Sequence, residues 1–336
     1  MTDRYPAVPQ HEAVLGEPAQ ARAAGDRPVR GPIAIEPTSN AVFAAAVTSG
    51  GGTVAPLGAA TRGLIWLSYA RAAELGEVLG RHPDIGWVQL PWAGVDAFAD
   101  TLAEPAHAGR LVTSAKGAFA QPVAEHALSL TLALMRVLPQ RARARQWNAE
   151  PAGRSLYRAR VVIIGAGGIA RELIALLAPF HTTITVVRRS HEPVPGAHRT
   201  VRTGHLPAVL PEADVVIVAA ALTGQTRHLL GAAELALLAP HANLVNIARG
   251  GLLDTAALVD ALAAGSFAGV ALDVTDPEPL PPEHALWSEP RCLITPHMAD
   301  TPEMTAPLLA DRIRQNVRAF TDHGRFLGVV DPQNGY

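Results

Sequence analysis

Apolar positions along this chain fall in short β-branched runs that alternate with longer stretches at helical spacing. From Pro32 onward, Ile33-Ala34-Ile35 reads as a strand and 40–47 as a helix. Thr53-Val54-Ala55 and Leu64-Ile65-Trp66-Leu67 read as further strands, and 71–79 as a helix with Ala72, Leu75 and Leu79 on one face. Trp87-Val88-Gln89-Leu90 and Leu111-Val112-Thr113 close this first set. The stretch 122–138 is almost wholly apolar. Its Leu128-Ser129-Leu130-Thr131-Leu132 portion alternates like a strand, but its length and the proline at its start favour a buried helix.

The second half repeats the alternation. Strands are expected at Val161-Val162-Ile163-Ile164, Ile184-Thr185-Val186-Val187 and Asp214-Val215-Val216-Ile217-Val218. Three more follow at Leu244-Val245-Asn246, Val270-Ala271-Leu272-Asp273 and Cys292-Leu293-Ile294-Thr295, with helices at 232–238 and 255–263 between them. A last helix is capped by Thr301, carries Leu308, Leu309, Ile313, Val317 and Phe320 on one stripe, and stops near Gly324. Strands alternating with helices specify parallel sheets covered on both faces, and the first set suffices for a small flavodoxin-like domain. Residues 1–30 lack sustained periodicity and are expected to form a poorly ordered extension.

Composition narrows the class. The chain has 336 residues, of which 49% are hydrophobic and 17% charged, so a large core is available to about two domains. A net charge of −2 leaves no electrostatic footprint for nucleic acid or an anionic membrane. The basic run Arg141-Ala142-Arg143-Ala144-Arg145 reads as a solvated helix end, with an anion site as the alternative. One cysteine, Cys292, excludes an intrachain disulfide framework and fits a reducing compartment. No apolar run nears the roughly 18 residues of a membrane span, and no signal-like apolar core follows the N-terminus. A soluble cytoplasmic protein without metal is the expectation.

Local chemistry concentrates first at Arg160 to Arg171, where a β-branched run meets Gly165-Ala166-Gly167-Gly168-Ile169-Ala170 and then a helix. A dinucleotide fingerprint needs this strand–turn–helix context. The first glycine permits the tight turn, the second lets backbone approach a pyrophosphate, and the small third residue lets helix pack on strand. The helix start offers unpaired N–H groups and a positive dipole end to phosphate. An NAD site usually places an acidic residue about twenty positions beyond the glycines. Here the second strand instead ends in Arg188-Arg189-Ser190, with no carboxylate before Glu192. Two guanidiniums suit a 2′-phosphate, so NADP is expected, with NAD as the alternative. Exposed arginines at a strand end are the bland reading.

Three further residues stand where strands of the second half end, the side on which open α/β sheets bind ligands. Arg249 follows 244–246, Glu278 lies in the proline-rich loop after Asp273, and His297 follows Ile294-Thr295-Pro296. Singly, each has a structural explanation: a turn-capping arginine, a solvated glutamate, a satisfied loop histidine. Jointly they carry a resemblance. Asn246-Ile247-Ala248-Arg249-Gly250-Gly251-Leu252-Leu253-Asp254 resembles the arginine motif of the D-isomer-specific 2-hydroxyacid dehydrogenases. Leu272-Asp273-Val274 with Glu278-Pro279-Leu280 resembles that family's glutamate motif, and Thr295-Pro296-His297 its histidine motif. Ala93-Gly94-Val95-Asp96 and Val123-Ala124-Glu125-His126-Ala127 match its N-terminal half, so that the likeness spans roughly 62–320 with order and spacing kept.

The resemblance implies two doubly wound parallel-sheet domains: a flavodoxin-like substrate domain of residues 31–130 plus 302–336, and a Rossmann cofactor domain of 131–301. It implies a homodimer, and a hydride transfer between NAD(P)H and C2 of a small 2-oxo or D-2-hydroxy acid in an interdomain cleft. In it His297 is the general acid, Glu278 its partner, and Arg249 polarises the carbonyl and holds the carboxylate. Backbone around Ala93 and Gly94 completes the carboxylate seat, and Trp92 walls the pocket or belongs to the core. Gly165, Gly167, Gly168 and Ile169 would hold the pyrophosphate, Arg188, Arg189 and Ser190 the 2′-phosphate, and Asp273 the nicotinamide carboxamide, with Thr226 and Ile247 also at the cofactor. His126 is assigned to helix packing.

Two departures bear on the substrate. His297-Met298-Ala299-Asp300 stands where the family usually has His-Ile-Ala-Gly, and Ala221 replaces a proline before Leu222-Thr223. The glyoxylate/hydroxypyruvate reductase branch is the expected activity, with a phosphoglycerate-type dehydrogenase behind it. An NAD(P)-sensing binding protein or corepressor on the same fold is the alternative from another class.

Overall fold

In the computed structural model, which describes residues 10–13 and 18–331, the chain forms two parallel sheets with helices packed on them. It divides into two units, Met1–Phe119 with Thr301–Tyr336, and Ala120–Asp300. Among the described residues no helix is long and apolar enough to cross a membrane.

The first unit runs β1 (Gln20–Ala21), β2 (Ile33–Glu36), α1 (Ala41–Ser49), β3 (Gly63–Trp66), α2 (Ala72–Arg81), β4 (Trp87–Gln89), α3 (Ala99–Ala103) and β5 (Leu111–Thr113). Strands β2, β3, β4 and β5 are neighbours in that order, all parallel. The expected strand at 53–55 is reduced to a single bridge, Val54 against Ile33, flanked by Ile33 N–H to Thr53 O at 2.8 Å and Ala55 N–H to Ile33 O at 3.0 Å. Three glycines before it and Pro56 after it leave no length for more. Counting that bridge, the spatial order is 2-1-3-4-5, the flavodoxin-like arrangement. Leu64, Trp66, Leu75, Leu79, Val88 and Phe98 form its core.

The second unit runs α4 (Ala120–Met135), α5 (Leu138–Arg143), β6 (Arg160–Ile164), α6 (Gly168–Leu177), β7 (Thr183–Arg188), β8 (Arg199–Arg202), α7 (Leu206–Val209), β9 (Val215–Val218), α8 (Ala232–Leu235), β10 (Asn243–Asn246), α9 (Thr255–Ala263), β11 (Gly269–Leu272) and β12 (Cys292–Ile294). Its seven parallel strands lie in the order β12-β11-β10-β9-β6-β7-β8. From β6 this is the doubly wound order, with the reversal between β6 and β9. β6 is buried over Val161–Ile164, and α6 buries Ala170, Leu173, Ile174 and Leu177 at helical spacing. β8 was not expected: of its four residues only Val201 is buried, so no apolar run announces it.

The chain then returns to the first unit with α10 (Pro302–Arg318) and β13 (Arg325–Phe326). All five predicted stripe residues are buried, Phe320 lying in the turn just past the end of α10. So are two polar residues beside them. Arg312 donates to the carbonyls of Ser114 and Lys116, each at 2.8 Å. Asn316 donates to Gln89 Oε1 at 2.7 Å and to Leu327 O at 3.0 Å, and accepts from Leu327 N–H at 2.8 Å. The N-terminal extension differs in part from expectation. Residues 1–9 and 14–17 lie outside the described residues, but β1 pairs antiparallel with β13. Arg27 and Arg30 donate to Asp322 O at 3.0 and 2.9 Å, so main-chain bonds and two guanidiniums anchor a segment whose side chains show no periodicity.

Candidate active site

β6 delivers the glycine loop to the carboxyl end of the second unit's sheet, at the point where strand order reverses. Gly165 has φ +117°, and a Cβ there would stand 2.4 Å from Ala219 O, so no other residue fits this turn. Gly167 caps α6 from extended backbone and makes no side-chain bond to the helix's first amides. A Cβ on Gly167 would meet nothing within 4 Å, which leaves the amides of Gly168 and Ile169 at an open face. A dinucleotide pyrophosphate fits this cradle, with peptide N–H groups and the positive helix end turned to it.

Arg188 ends β7 beside Arg202 of β8, with which it is in register. Arg188 lies 3.7 Å from the exposed Glu192 carboxylate and donates to Glu192 O at 3.4 Å. Ser190 Oγ is 3.5 Å from Glu192 Oε2, and Arg202 is 3.0 Å from His191 Nδ1. Arg188, Arg189 and Ser190 thus share this strand end with Arg202 and His191, which sequence reasoning missed because β8 was invisible to it. Thr226 closes its own turn, accepting from Thr223 N–H and donating to Ala221 O, both at 2.7 Å. Ile247 is buried in the loop after β10.

That loop carries Arg249. Asn246 braces it, accepting from Ala248 N–H at 3.1 Å and donating to Arg249 O at 2.9 Å. A Cβ on Gly250 would fall 2.0 Å from the Thr275 carbonyl group, so glycine is what lets the arginine loop lie against the loop bearing Glu278. His297 Nδ1 is 2.6 Å from Glu278 Oε1. The hydrogen bond and charge of Glu278 raise the imidazole above its usual range, against burial and Arg249, which lower it. Burial pushes Glu278 up, but the His297 bond and charge, the Thr275 amide and Arg249 outweigh it and hold the carboxyl below its usual value. An ionised carboxylate only accepts, so Nδ1 carries the proton toward Glu278 and Nε2 is the ring nitrogen left for proton exchange.

His297 itself has φ +53°, an unusual conformation for a histidine. Its amide donates to Asp273 O at 2.7 Å and Thr295 O at 2.9 Å. The Asp273 carboxylate, at the end of β11, accepts from Thr295 Oγ1 at 2.6 Å, Met298 N–H at 2.9 Å and Ala299 N–H at 3.2 Å. It is therefore the anchor of the histidine turn, with one bond on Oδ2. Burial raises its pKa, but the bonds from His126, Thr295 and Met298 bring it below the ordinary value. Asp300, next in the turn, is pushed up to about 6 chiefly by burial, with His297 and His126 opposing. His126 of α4, assigned to packing, points instead at Thr295 Oγ1 and Asp273 Oδ1, at 3.0 and 3.4 Å.

The proposed substrate-side residues belong to the first unit. Trp92 packs against Tyr69 and Phe119, with ring centroids 6.0 and 6.4 Å apart, and Ala93 and Gly94 are half-buried in the loop after β4. Among the described residues no group of three or more His, Cys, Asp and Glu side chains is arranged to hold a metal.

The profile of the D-isomer specific 2-hydroxyacid dehydrogenase NAD-binding domain matches residues 128–299. A protein of Corynebacterium melassecola described as "Uncharacterized protein in proB 3'region" is 37% identical over 260 residues, 75% of this chain and 84% of that one. The glyoxylate reductase of Thermococcus gammatolerans is 30% identical over 256 residues, 73% of this chain and 76% of its own. A D-isomer specific 2-hydroxyacid dehydrogenase from Xanthobacter autotrophicus Py2, solved with NADPH and MES, superposes with a TM-score of 0.77 at 27% identity, covering 92% of this chain and 100% of that one.

Proposed function

Because the chain belongs to the D-isomer specific 2-hydroxyacid dehydrogenases, a family of NAD(P)-dependent oxidoreductases, we propose that it is an NADPH-preferring reductase of short 2-oxo acids, of the glyoxylate/hydroxypyruvate type. The observation that carries this reading is the 2.6 Å bond between His297 and Glu278, on loops at the same sheet end as Arg249. Reduced nicotinamide, when bound, supplies two electrons and a hydrogen to substrate C2. Charge then grows on the carbonyl oxygen, and that oxygen needs a proton. His297 Nε2 gives it, while Glu278 holds the ring by Nδ1 and favours the imidazolium. Arg249 draws electron density toward the carbonyl oxygen and pairs with the substrate carboxylate. Trp92, Ala93 and Gly94 of the first unit complete the proposal as substrate-binding residues.

Gly165, Gly167, Gly168 and Ile169 hold the pyrophosphate in this reading. Arg188, Arg189 and Ser190 take the 2′-phosphate, the basis of the NADPH preference; the Xanthobacter relative was solved with NADPH. Thr226, Ile247 and the remaining acceptor capacity of Asp273 serve the nicotinamide side. A cytoplasmic homodimer completes the proposal, and light scattering on the purified protein tests its size. The function itself is tested by following NADPH and NADH oxidation with glyoxylate, hydroxypyruvate, pyruvate and bulkier 2-oxo acids. Turnover of a short 2-oxo acid with NADPH favoured is the expected result. No turnover of any of them, with cofactor still bound, would favour a nucleotide-sensing role.

A further inference from the structure

The residues between His126 and His297 form a chain whose proton directions are determined. Thr295 Oγ1 lies 2.6 Å from Asp273 Oδ1 and 3.0 Å from His126 Nε2. A hydroxyl has one proton, and the Asp273 carboxylate, held below its usual pKa, can only accept. Thr295 therefore gives its proton to Asp273, and His126 must carry the hydrogen on Nε2 and donate it to Thr295. That ring nitrogen also stands 3.4 Å from Asp273 Oδ1 itself. The tautomer of a helix histidine is thus set by a threonine and an aspartate 169 and 147 positions away (273 − 126 = 147).

We infer that His126 is a positioning residue for the reaction, its Nε2–H clamping Thr295 and Asp273 so that the turn bearing His297 stays in its left-handed conformation. The inference rests on reading His297 as the proton donor. The Asp273 side chain is 1% exposed, and a carboxylate so buried is costly unless donors surround it. Its donors come from the Thr295 hydroxyl, the Met298 and Ala299 amides and His126. The two amides are those following His297, so whatever fixes the carboxylate also fixes the turn. Packing alone does not require this geometry: the His126 side chain is 20% exposed, and water could serve its ring. Removing the imidazole leaves the Thr295 oxygen without its donor and Asp273 with its two turn amides and a hydroxyl no longer held from behind.

The test compares His126→Ala with His126→Gln, whose amide N–H can reach the same hydroxyl. In His126→Ala, kcat should fall about tenfold, with KM for the 2-oxo acid and Kd for NADPH within about twofold, since a small misplacement of the acid acts on the chemical step. His126→Gln should recover to within about threefold of wild type. Unchanged kcat per folded molecule in His126→Ala overturns the inference, as does a glutamine variant as impaired as the alanine one. Ring-proton NMR gives a readout without turnover. In His126→Ala the His297 titration, identified by its loss in His297→Asn, should move to lower pH, because an unclamped turn loosens the Glu278 bond that keeps that imidazole protonated and the Asp273 charge that adds to it. An unmoved titration also overturns the inference. If wild type reduces no 2-oxo acid, the reductase reading fails, and the NMR comparison still decides whether His126 governs the turn.

Discussion

His297 Nδ1 and Glu278 Oε1 stand 2.6 Å apart although their residues are 19 positions apart on separate loops. The bond couples their protonation in opposite senses. His297, raised, lends the fold stability that is complete below the ordinary histidine range of about 6.5 and is lost as pH climbs through the raised value. Glu278, lowered, lends stability that is complete above its ordinary value of 4.5 and is lost as pH falls through the lowered one. Between those limits the pair is an imidazolium–carboxylate. In the reductive direction kcat/KM should therefore hold up to the raised histidine value and fall above it. Glu278→Gln should move that alkaline limb to lower pH and reduce kcat by about tenfold or more. A limb that stays in place would mean that Glu278 does not govern the acid.

Cofactor choice should follow the guanidiniums at the end of β7. Arg188→Ala with Arg189→Ala should weaken NADPH binding by about 10- to 100-fold while NADH binding stays within about threefold, because each arginine offers charge-assisted bonds only to a 2′-phosphate. Fluorescence titration of the two cofactors measures it. Equal losses for both would place these arginines outside the discrimination.

Asp300 should be a liability to stability. Its carboxyl is pushed up from 3.8 to about 6, so the folded state resists ionisation more than the unfolded chain does. That penalty is absent below 3.8, grows as pH rises and is complete above about 6. Asp300→Asn should raise the unfolding free energy at pH 8 by about 1–3 kcal/mol and by less at pH 5. Urea unfolding at the two values checks this, and a gain that is larger at the lower pH would reverse the sign.

In the first unit, Arg312 is almost wholly buried against two carbonyls, and burial pulls it down to about 10. Arg312→Met keeps the aliphatic bulk but leaves Ser114 O and Lys116 O without their donor. A loss of about 2–4 kcal/mol in unfolding free energy is expected. A loss under about 0.5 kcal/mol would show that water replaces the guanidinium without cost.

The sheets, their helices and the glycine loop were legible because local chemistry dictates them: β-branched runs build buried strands, and Gly165 is required by its own backbone. The loops of Arg249, Glu278 and His297 could be located from where strands end, without any knowledge of side-chain distances. β8, with Val201 alone inside, leaves no apolar run to read. Arg312 and Asn316 look like the polar flank of an apolar stripe, and only tertiary contact turns them inward. His126 reads as packing from the sequence for the same reason. Its partners lie far along the chain, and no local spacing points to them.

The most direct measurement is turnover by His297→Ala with NADPH and a short 2-oxo acid, alongside its NADPH affinity. Loss of the proton donor should lower kcat by about a hundredfold or more while Kd for NADPH stays within about twofold. Turnover equal to wild type would contradict the assignment of His297, and with it the account of this site.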